Sequence, residues 1–162
     1  MADAKLEQKL ERLLDRLEIL LPKIEDEVDW SAAAFRWRRK QYLGMSYGVL
    51  EPIHRVALVD PDSIKNADQQ KAALLRNTEQ FVRGLPANNV LLTGARGTGK
   101  SSLIRACLKQ FADQGLRLIE VDKEDLKDLI DIAQRIADRP EKFIVFCDDL
   151  SFELDRKSTR LN

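Results

Sequence analysis

The stretch that most constrains the fold is Gly94 to Ser101, which has the sequence GARGTGKS and the spacing G-x-x-x-x-G-K-[ST]. This spacing predicts a phosphate-binding loop, because glycine allows the tight backbone curl that aims successive N–H groups at an anion. Lys100 supplies a mobile positive charge, and Ser101 places a hydroxyl for a Mg²⁺ ion where a helix begins. The candidate binding residues are Gly94, Ala95, Arg96, Gly97, Thr98, Gly99, Lys100, Ser101 and Ser102.

The sequence on both sides of this loop agrees with the prediction. Asn89 to Thr93 is a short apolar run typical of a strand, and Ser102 to Phe111 has apolar residues at helical spacing. Strand, glycine loop and helix is the order that phosphate binding requires. The alternative is a chance glycine-rich turn, which leaves Lys100, Ser101 and both flanks unexplained.

Further elements are predicted around the loop. Asp68 to Val82 has the pattern of a helix, and Leu116 to Val121 alternates like a strand. Phe143 to Cys147 is a continuous apolar run suited to a buried parallel strand. A helix is predicted over Glu124 to Asp138, with these inward side chains: Leu126, Leu129, Ile130, Ala133 and Ile136.

Two carboxylates follow the last predicted strand. The carboxyl end of a parallel strand faces the same crevice as a phosphate loop, so Asp148 is a candidate Mg²⁺ ligand together with Ser101. Asp149 stands where a carboxylate would polarise the attacking water, and with Lys100 it forms the candidate catalytic set. The alternative is a carboxylate pair that caps the following turn.

The first 28 residues carry a heptad-like seam of apolar side chains: Leu6, Leu10, Leu13, Leu17, Leu20 and Ile24. Two interpretations stay open, a coiled coil between copies of the chain and an amphipathic helix packed on its own domain. Fewer than three full heptads form only marginally in isolation.

Residues 29–62 are predicted to be a helical and connector region. Their first part mixes aromatic and basic side chains: Trp30, Phe35, Arg36, Trp37, Arg38, Arg39, Lys40 and Tyr42. Arginine beside aromatic rings suits nucleic acid, but the same mixture describes a helix with one buried and one solvated face. The helix is favoured, because 27 Lys and Arg balance 27 Asp and Glu in the chain.

The predicted location of the chain is the cytoplasm, with no membrane partner. No apolar run is long enough to cross a bilayer, and the N-terminus lacks the layout of a secretory signal. Cys107 and Cys147 both lie in apolar patterns, which favours small buried residues over a disulfide framework.

Three separated blocks of the chain together resemble an uncharacterised bacterial family of AAA+-type phosphate-loop ATPases, classed as a domain of unknown function. The likeness extends from about Trp30 to Glu153. The blocks are QKAALLRNTEQFVRGLPANNVLLTGARGTGKS (Gln70 to Ser101), GLRLIEVDKEDLKDL (Gly115 to Leu129) and FIVFCDDLSFE (Phe143 to Glu153). The resemblance implies an α/β fold, an AAA+-like parallel sheet core behind an α-helical N-terminal region, and ATP and Mg²⁺ as cofactors.

The resemblance also implies a function and a position for the base. In the full-length parent, ATP hydrolysis would drive remodelling or assembly of a macromolecular partner, and a homo-oligomer is left open. The segment Ile64 to Asn77 would lie near the adenine. Because this class usually carries Glu where Asp149 stands, Glu153 is an alternative group for water activation, and an ATP-dependent switch without efficient hydrolysis is the rival function.

The family pattern further predicts that the core is incomplete. In this class a sensor strand lies between the loop strand and the acidic strand, followed by an arginine finger and a helical lid, and no such segments are recognisable here. We therefore expect an N-terminal fragment truncated after the acidic (Walker B) strand. The expected division is 1–28 (N-terminal helix), 29–62 (helical and connector region), 63–154 (partial ATPase core) and 155–162 (non-native tail, DRKSTRLN).

Overall fold

The computed structural model describes residues 7–14, 16 and 28–148 of the chain. Residues 7–14 are helical, as predicted, and their leucines Leu10, Leu13 and Leu14 are exposed. These leucines do not pack into the described core. The other residues of the predicted seam lie outside the described residues, so pairing between copies stays a prediction.

Four strands form one sheet in the spatial order β2-β1-β3-β4. Strands β1 (Ala34–Tyr42) and β2 (Met45–Pro52) form an antiparallel hairpin. Strand β3 (Leu116–Glu120) runs parallel to β1, and β4 (Lys142–Phe146) runs parallel to β3. This mostly parallel α/β arrangement is compatible with the core of a phosphate-loop NTPase.

Helices cover both faces of the sheet. Helices α1 (Asp68–Val82) and α2 (Lys100–Phe111) pack on one face, in a core with these buried residues: Ala34, Leu74, Leu103, Ile104, Cys107, Leu108, Phe111, Leu116 and Leu118. Helix α3 (Leu129–Ile136) packs on the other face, where Ala32, Phe35, Trp37, Leu50, Ile119, Val121 and Ile132 are buried. No helix within the described ranges is both long and apolar enough to span a bilayer.

The predicted helices before and after the loop are confirmed as α1 and α2, and the predicted strands at 116–121 and 143–147 are confirmed as β3 and β4. The expected burial of β4 is wrong for the described sheet, because β4 is its outer strand and Val145 is 37% exposed. These elements are predictable from nearby residues alone, because apolar side chains recur at regular intervals within each element and Gly or Pro residues lie close to its ends.

The interpretation of residues 29–47 as a helix is wrong, because this region contains the β1–β2 hairpin. Along β1, Phe35 and Trp37 point into the core, while Arg36 lies between them on the other face with its side chain partly exposed. Aromatic and basic residues therefore alternate with the period of two that defines a strand. The turn at Leu43 and Gly44 has φ angles of 47° and 80°, as two-residue hairpin turns require.

The predicted helix over Glu124 to Asp138 is correct only in part. Its first turns are a 3-10 helix (Lys123–Asp128), and α3 follows. Ile132 is the fully buried residue, whereas Leu129 and Ile130, predicted to face inward, are 43% and 71% exposed, and Ala133 is exposed as well. A 3-10 helix has 3.0 residues per turn and an α-helix has 3.6, so a 3-10 helix of six residues turns the chain about 120° further than an α-helix would. The face of α3 that points inward is therefore different from the predicted one.

The predicted strand at Asn89 to Thr93 is also wrong for the described part of the chain. These residues have no strand assignment and no partner in the described sheet, and Val90 and Leu91 are 47% and 70% exposed. A strand requires a hydrogen-bonded neighbour, and its apolar pattern alone does not supply one. Strand β4, beside which the family pattern places a further strand, is the outer strand of the described sheet.

Candidate nucleotide-binding site

The loop between residues 93 and 100 curls back on itself, as its glycines allow. Gly94, Gly97 and Gly99 have φ angles of 142°, 83° and 87°, which side chains strongly disfavour. The hydroxyl of Thr98 donates a hydrogen bond of 2.8 Å to the carbonyl of Ala95 and closes the turn. Gly99 is the N-cap of α2, and no side chain caps the helix there. The first N–H groups of α2 therefore face the loop, where an anion would be stabilised.

Lys100 lies over the loop with its ammonium on neutral oxygens. Its Nζ donates to the carbonyls of Gly94 and Ala95, both at 3.0 Å. In the described part of the chain, Lys100 forms no ion pair. A charge held only by carbonyl dipoles gains energy when phosphate oxygens replace them, because charge-assisted bonds are stronger.

Ser101 and Asp148, the two predicted Mg²⁺ ligands, come together from positions 47 residues apart. The hydroxyl of Ser101 donates to Oδ2 of Asp148 at 2.6 Å. Hydroxyl and carboxylate oxygens are donors that Mg²⁺ prefers, and Mg²⁺ sites in ATPases commonly combine one or two such groups with phosphate oxygens and water. The two residues thus fit this ion. No cluster of three or more His, Cys, Asp or Glu suited to a metal occurs among the described residues.

The edge of the sheet around Asp148 is acidic. The pKa of the Cys147 thiol is raised, first by burial and then by the negative charges of Asp122, Asp148 and Glu124. Three carboxylates therefore act on this one thiol from the ends of β3 and β4. Asp122 is paired with Arg38, and Asp148 is the carboxylate of this edge that also contacts Ser101. Asp149 and Glu153, the residues predicted to activate water, lie outside the described residues.

A groove of about 510 Å³ lies beside the loop, within the size range of small-molecule sites. One wall consists of Gly97, Thr98, Gly99 and Ser102, and the opposite wall consists of Val59, Ser63, Ile64, Lys65, Asn66 and Ala67. Of the segment predicted to lie near adenine, the part from Ile64 to Ala67 lines this groove. Sequence reasoning missed Val59 and Ser63; the 3-10 turn over Pro61–Ser63, marked by Asp60-Pro61, is the signal that would have extended the segment.

The basic residues of β1 lie elsewhere and have acidic partners. Arg36 pairs with Glu120 at 2.6 Å, Arg38 with Asp122 at 2.8 Å, Arg39 with Asp128 at 2.9 Å, and Lys40 with Glu51 at 3.1 Å. Nucleic-acid binding requires cations whose charge is available to phosphates. These pairs therefore weaken the nucleic-acid interpretation of this segment.

Comparisons with known proteins agree with an ATPase-related chain. A family model described as "Protein of unknown function (DUF815)" matches residues 30–161. The "Replication factor C large subunit" of Sulfolobus acidocaldarius is 33% identical over 75 residues, which is 46% of this chain and 17% of that protein. The matched part therefore spans less than a fifth of the length of this relative. No solved structure matches the chain significantly.

Proposed function

Because the chain belongs to the family described as "Protein of unknown function (DUF815)", and its similarity to a replication factor C subunit relates it to AAA+ ATPases, we propose an ATP-dependent function. The chain binds ATP with Mg²⁺. In the whole protein, hydrolysis of this ATP is coupled to the remodelling or assembly of a macromolecular partner.

The contact between Ser101 and Asp148 carries this proposal. Two oxygen ligands suited to Mg²⁺, 2.6 Å apart, lie next to a glycine loop and the uncapped start of a helix. A glycine-rich turn with only a structural role has no need of a carboxylate from a distant strand at this point. The combination supports a site for a phosphate chain and its metal.

Each residue of the site has a role in the proposal. The backbone N–H groups of Gly97 to Ser102 bind phosphate oxygens, and Lys100 exchanges its carbonyl partners for them. Ser101 and Asp148 hold the Mg²⁺, which when bound neutralises charge on the phosphates. Asp149 orients the attacking water. The nucleoside lies in the groove beside Ile64 to Ala67.

Titration of ATP and Mg²⁺ into the wild-type chain and Lys100→Ala tests the proposal. We expect Lys100→Ala to bind ATP at least about tenfold more weakly, because a charged hydrogen bond to phosphate is lost. Lys127→Ala, which removes an exposed lysine between β3 and α3, is the matched control and should bind like wild type. Equal affinity of wild type and Lys100→Ala would overturn the assignment of the loop.

An ATP-dependent switch is the second candidate function, favoured by Asp149 at a position where AAA+ ATPases usually carry Glu. Asp is shorter than Glu by one methylene group, so in this second proposal water is activated poorly and ATP is bound and held without efficient turnover. Phosphate release with protein in excess over ATP separates the two functions. Release by wild type supports hydrolysis, whereas release only after Asp149→Glu supports a switch.

A further inference from the structure

Lys71, in the first turn of α1, has an environment that a surface lysine does not need. Its side chain is 17% exposed, and its Nζ lies 3.0 Å from the carbonyl oxygen of Pro61 and 3.2 Å from that of Ile64. A carboxylate oxygen of Asp68 lies at 3.4 Å. An ammonium has three N–H donors, and three acceptors surround this one. We propose that Lys71 is a positioning residue that shapes the nucleoside wall of the candidate groove, an inference that rests on the proposed function.

The two carbonyls that Lys71 holds belong to the groove wall itself. Pro61 begins the 3-10 turn, and Ile64 ends it and lines the groove. Both carbonyls accept from one ammonium on α1, so Lys71 links the two ends of the 3-10 turn to this helix. Ser63, Ile64 and Lys65, within or directly after this turn, line the groove together with residues of the loop.

A second lysine contacts the turn that forms the same wall. Lys109 of α2 donates to Oδ2 of Asp60 at 2.7 Å, and Asp60 caps the 3-10 turn by accepting from the N–H of Asp62 at 3.0 Å. The pKa of Asp60 is lowered, mainly by the hydrogen bond from Lys109. Lys71 and Lys109 thus tie the wall to the two helices that flank the loop.

The wall that Lys71 shapes is separate from the groups that would bind phosphates. Phosphate binding is assigned to Gly97 to Ser102 on the opposite wall, none of which Lys71 contacts. The wall from Val59 to Ala67 offers half-buried Val59, Ile64 and Ala67 as an apolar surface, and Asn66 is held at a φ of 60°. A flat apolar base with polar edges fits such a surface, whereas a triphosphate does not need it.

Lys71→Met removes the ammonium while keeping a long apolar side chain, and two probes report on the two walls. Mg²⁺ with ATP requires both walls, and Mg²⁺ with inorganic tripolyphosphate requires only the loop. We expect Lys71→Met to bind ATP about tenfold more weakly and tripolyphosphate as wild type does, since the loss of one charged hydrogen bond sets this scale. Lys71→Arg, which keeps the donors, should restore part of the ATP affinity.

Two further variants keep the test decisive. Arg76→Met removes an exposed charge from the same helix and should leave the affinities for ATP and for tripolyphosphate unchanged. Lys109→Met should also weaken ATP binding, but by a smaller factor, because the Lys109 side chain is 43% exposed. If Lys71→Met does not fold, the ATP and tripolyphosphate affinities of Lys109→Met decide the question.

Three outcomes contradict the inference. Equal ATP affinity of Lys71→Met and wild type would overturn the inference about Lys71 and leave the proposed function intact. Equal losses of affinity for ATP and for tripolyphosphate in Lys71→Met would show a general effect on the fold and would also overturn the inference. Wild type that binds neither probe would overturn the proposed function, and the inference with it. The failure of either idea is thus distinguishable from the failure of the other.

Discussion

The cations of strand β1 and the cation of the phosphate loop have opposite kinds of partners. Arg36, Arg38 and Arg39 each pair with a carboxylate within 2.9 Å. Lys100 instead donates to two carbonyl oxygens of its own loop at 3.0 Å. The first set is neutralised within the fold, and the second charge is held by neutral groups that an anion replaces at low cost. Charge partners therefore separate the paired cations of β1 from the candidate ligand-binding Lys100 more clearly than cation density along the sequence does.

Packing differs between the same two regions. Phe35 and Trp37 of β1 are 0% and 1% exposed, whereas Val90 and Leu91, which lead into the loop, are 47% and 70% exposed. Strand β1 thus contributes large side chains to the buried core, whereas Val90 and Leu91 do not. The segment that leads into the loop is more weakly packed, which is common in regions that bind ligands.

The largest expected effect of a substitution is a loss of stability in strand β1. Trp37 is buried, and its Nε1 donates to Oδ2 of Asp128 at 3.0 Å. We expect Trp37→Ala to lower the free energy of unfolding by about 3–5 kcal/mol, from the cavity and from the acceptor left without this donor. Urea unfolding followed by circular dichroism measures this change.

Leu91→Ala, in the segment that leads into the loop, is the matched control. Because Leu91 is 70% exposed, its truncation should change the free energy of unfolding by less than about 0.5 kcal/mol. Similar losses for the two variants would contradict the contrast in packing and show that Leu91 contributes to the stabilising core.

A smaller effect, on binding rather than stability, is expected at the loop. Ser101→Ala removes the hydroxyl that contacts Asp148 at 2.6 Å. Mg²⁺ should tighten ATP binding to wild type, and in Ser101→Ala we expect this gain to fall about tenfold, since one oxygen ligand is lost. Calorimetric titrations of ATP with Mg²⁺ and with EDTA measure the gain.

Ser102→Ala is the neighbouring control, because Ser102 lines the groove on the same helix while the contact to Asp148 comes from Ser101. It should keep the gain from Mg²⁺. A full gain in Ser101→Ala would remove Ser101 from the metal site and leave Asp148 as the described candidate.

Much of this site could be predicted from the sequence, because its signals are local. The spacing of Gly94, Gly99, Lys100 and Ser101 identifies the loop and the start of α2. Asp148 required one further step, the rule that the carboxyl ends of parallel strands face the phosphate loop. The contact between Ser101 and Asp148 agrees with this rule.

The parts that sequence reasoning missed depend on distant partners or on a change of helix type. Nothing in the sequence near residues 89–93 shows whether another strand lies beside them, and an apolar pattern alone does not make a strand. The inward face of α3 was assigned wrongly because the 3-10 turn before it changes the rotation per residue. The role of Lys71 is also nonlocal in this sense, since it depends on the backbone carbonyls of Pro61 and Ile64.

The hairpin shows a different failure, in which the signal was present and its period was misjudged. Aromatic and basic residues alternate strictly from Phe35 to Arg38, which is a period of two. Gly44 and Gly48 nearby supported a connector, although a glycine at the second position of a two-residue turn is equally typical of a hairpin. Strict alternation of aromatic and basic residues is therefore a stronger indication of a strand than the composition of the segment is of a helix.

The smallest expected effect tests whether the cations of β1 are structural. Arg38 and Asp122 are 43% and 55% exposed, so Arg38→Gln should lower the free energy of unfolding by only about 0.2–1 kcal/mol, and less at high salt. Arg39→Gln is the matched comparison and should cost more, because its partner Asp128 is 7% exposed and also accepts from Trp37. Neither variant should change the affinity for DNA. A DNA affinity that falls steeply with salt and disappears when Arg36, Arg38 and Arg39 are all replaced by Gln would contradict the comparison, since it would show that carboxylate partners inside the fold do not prevent these cations from binding phosphates.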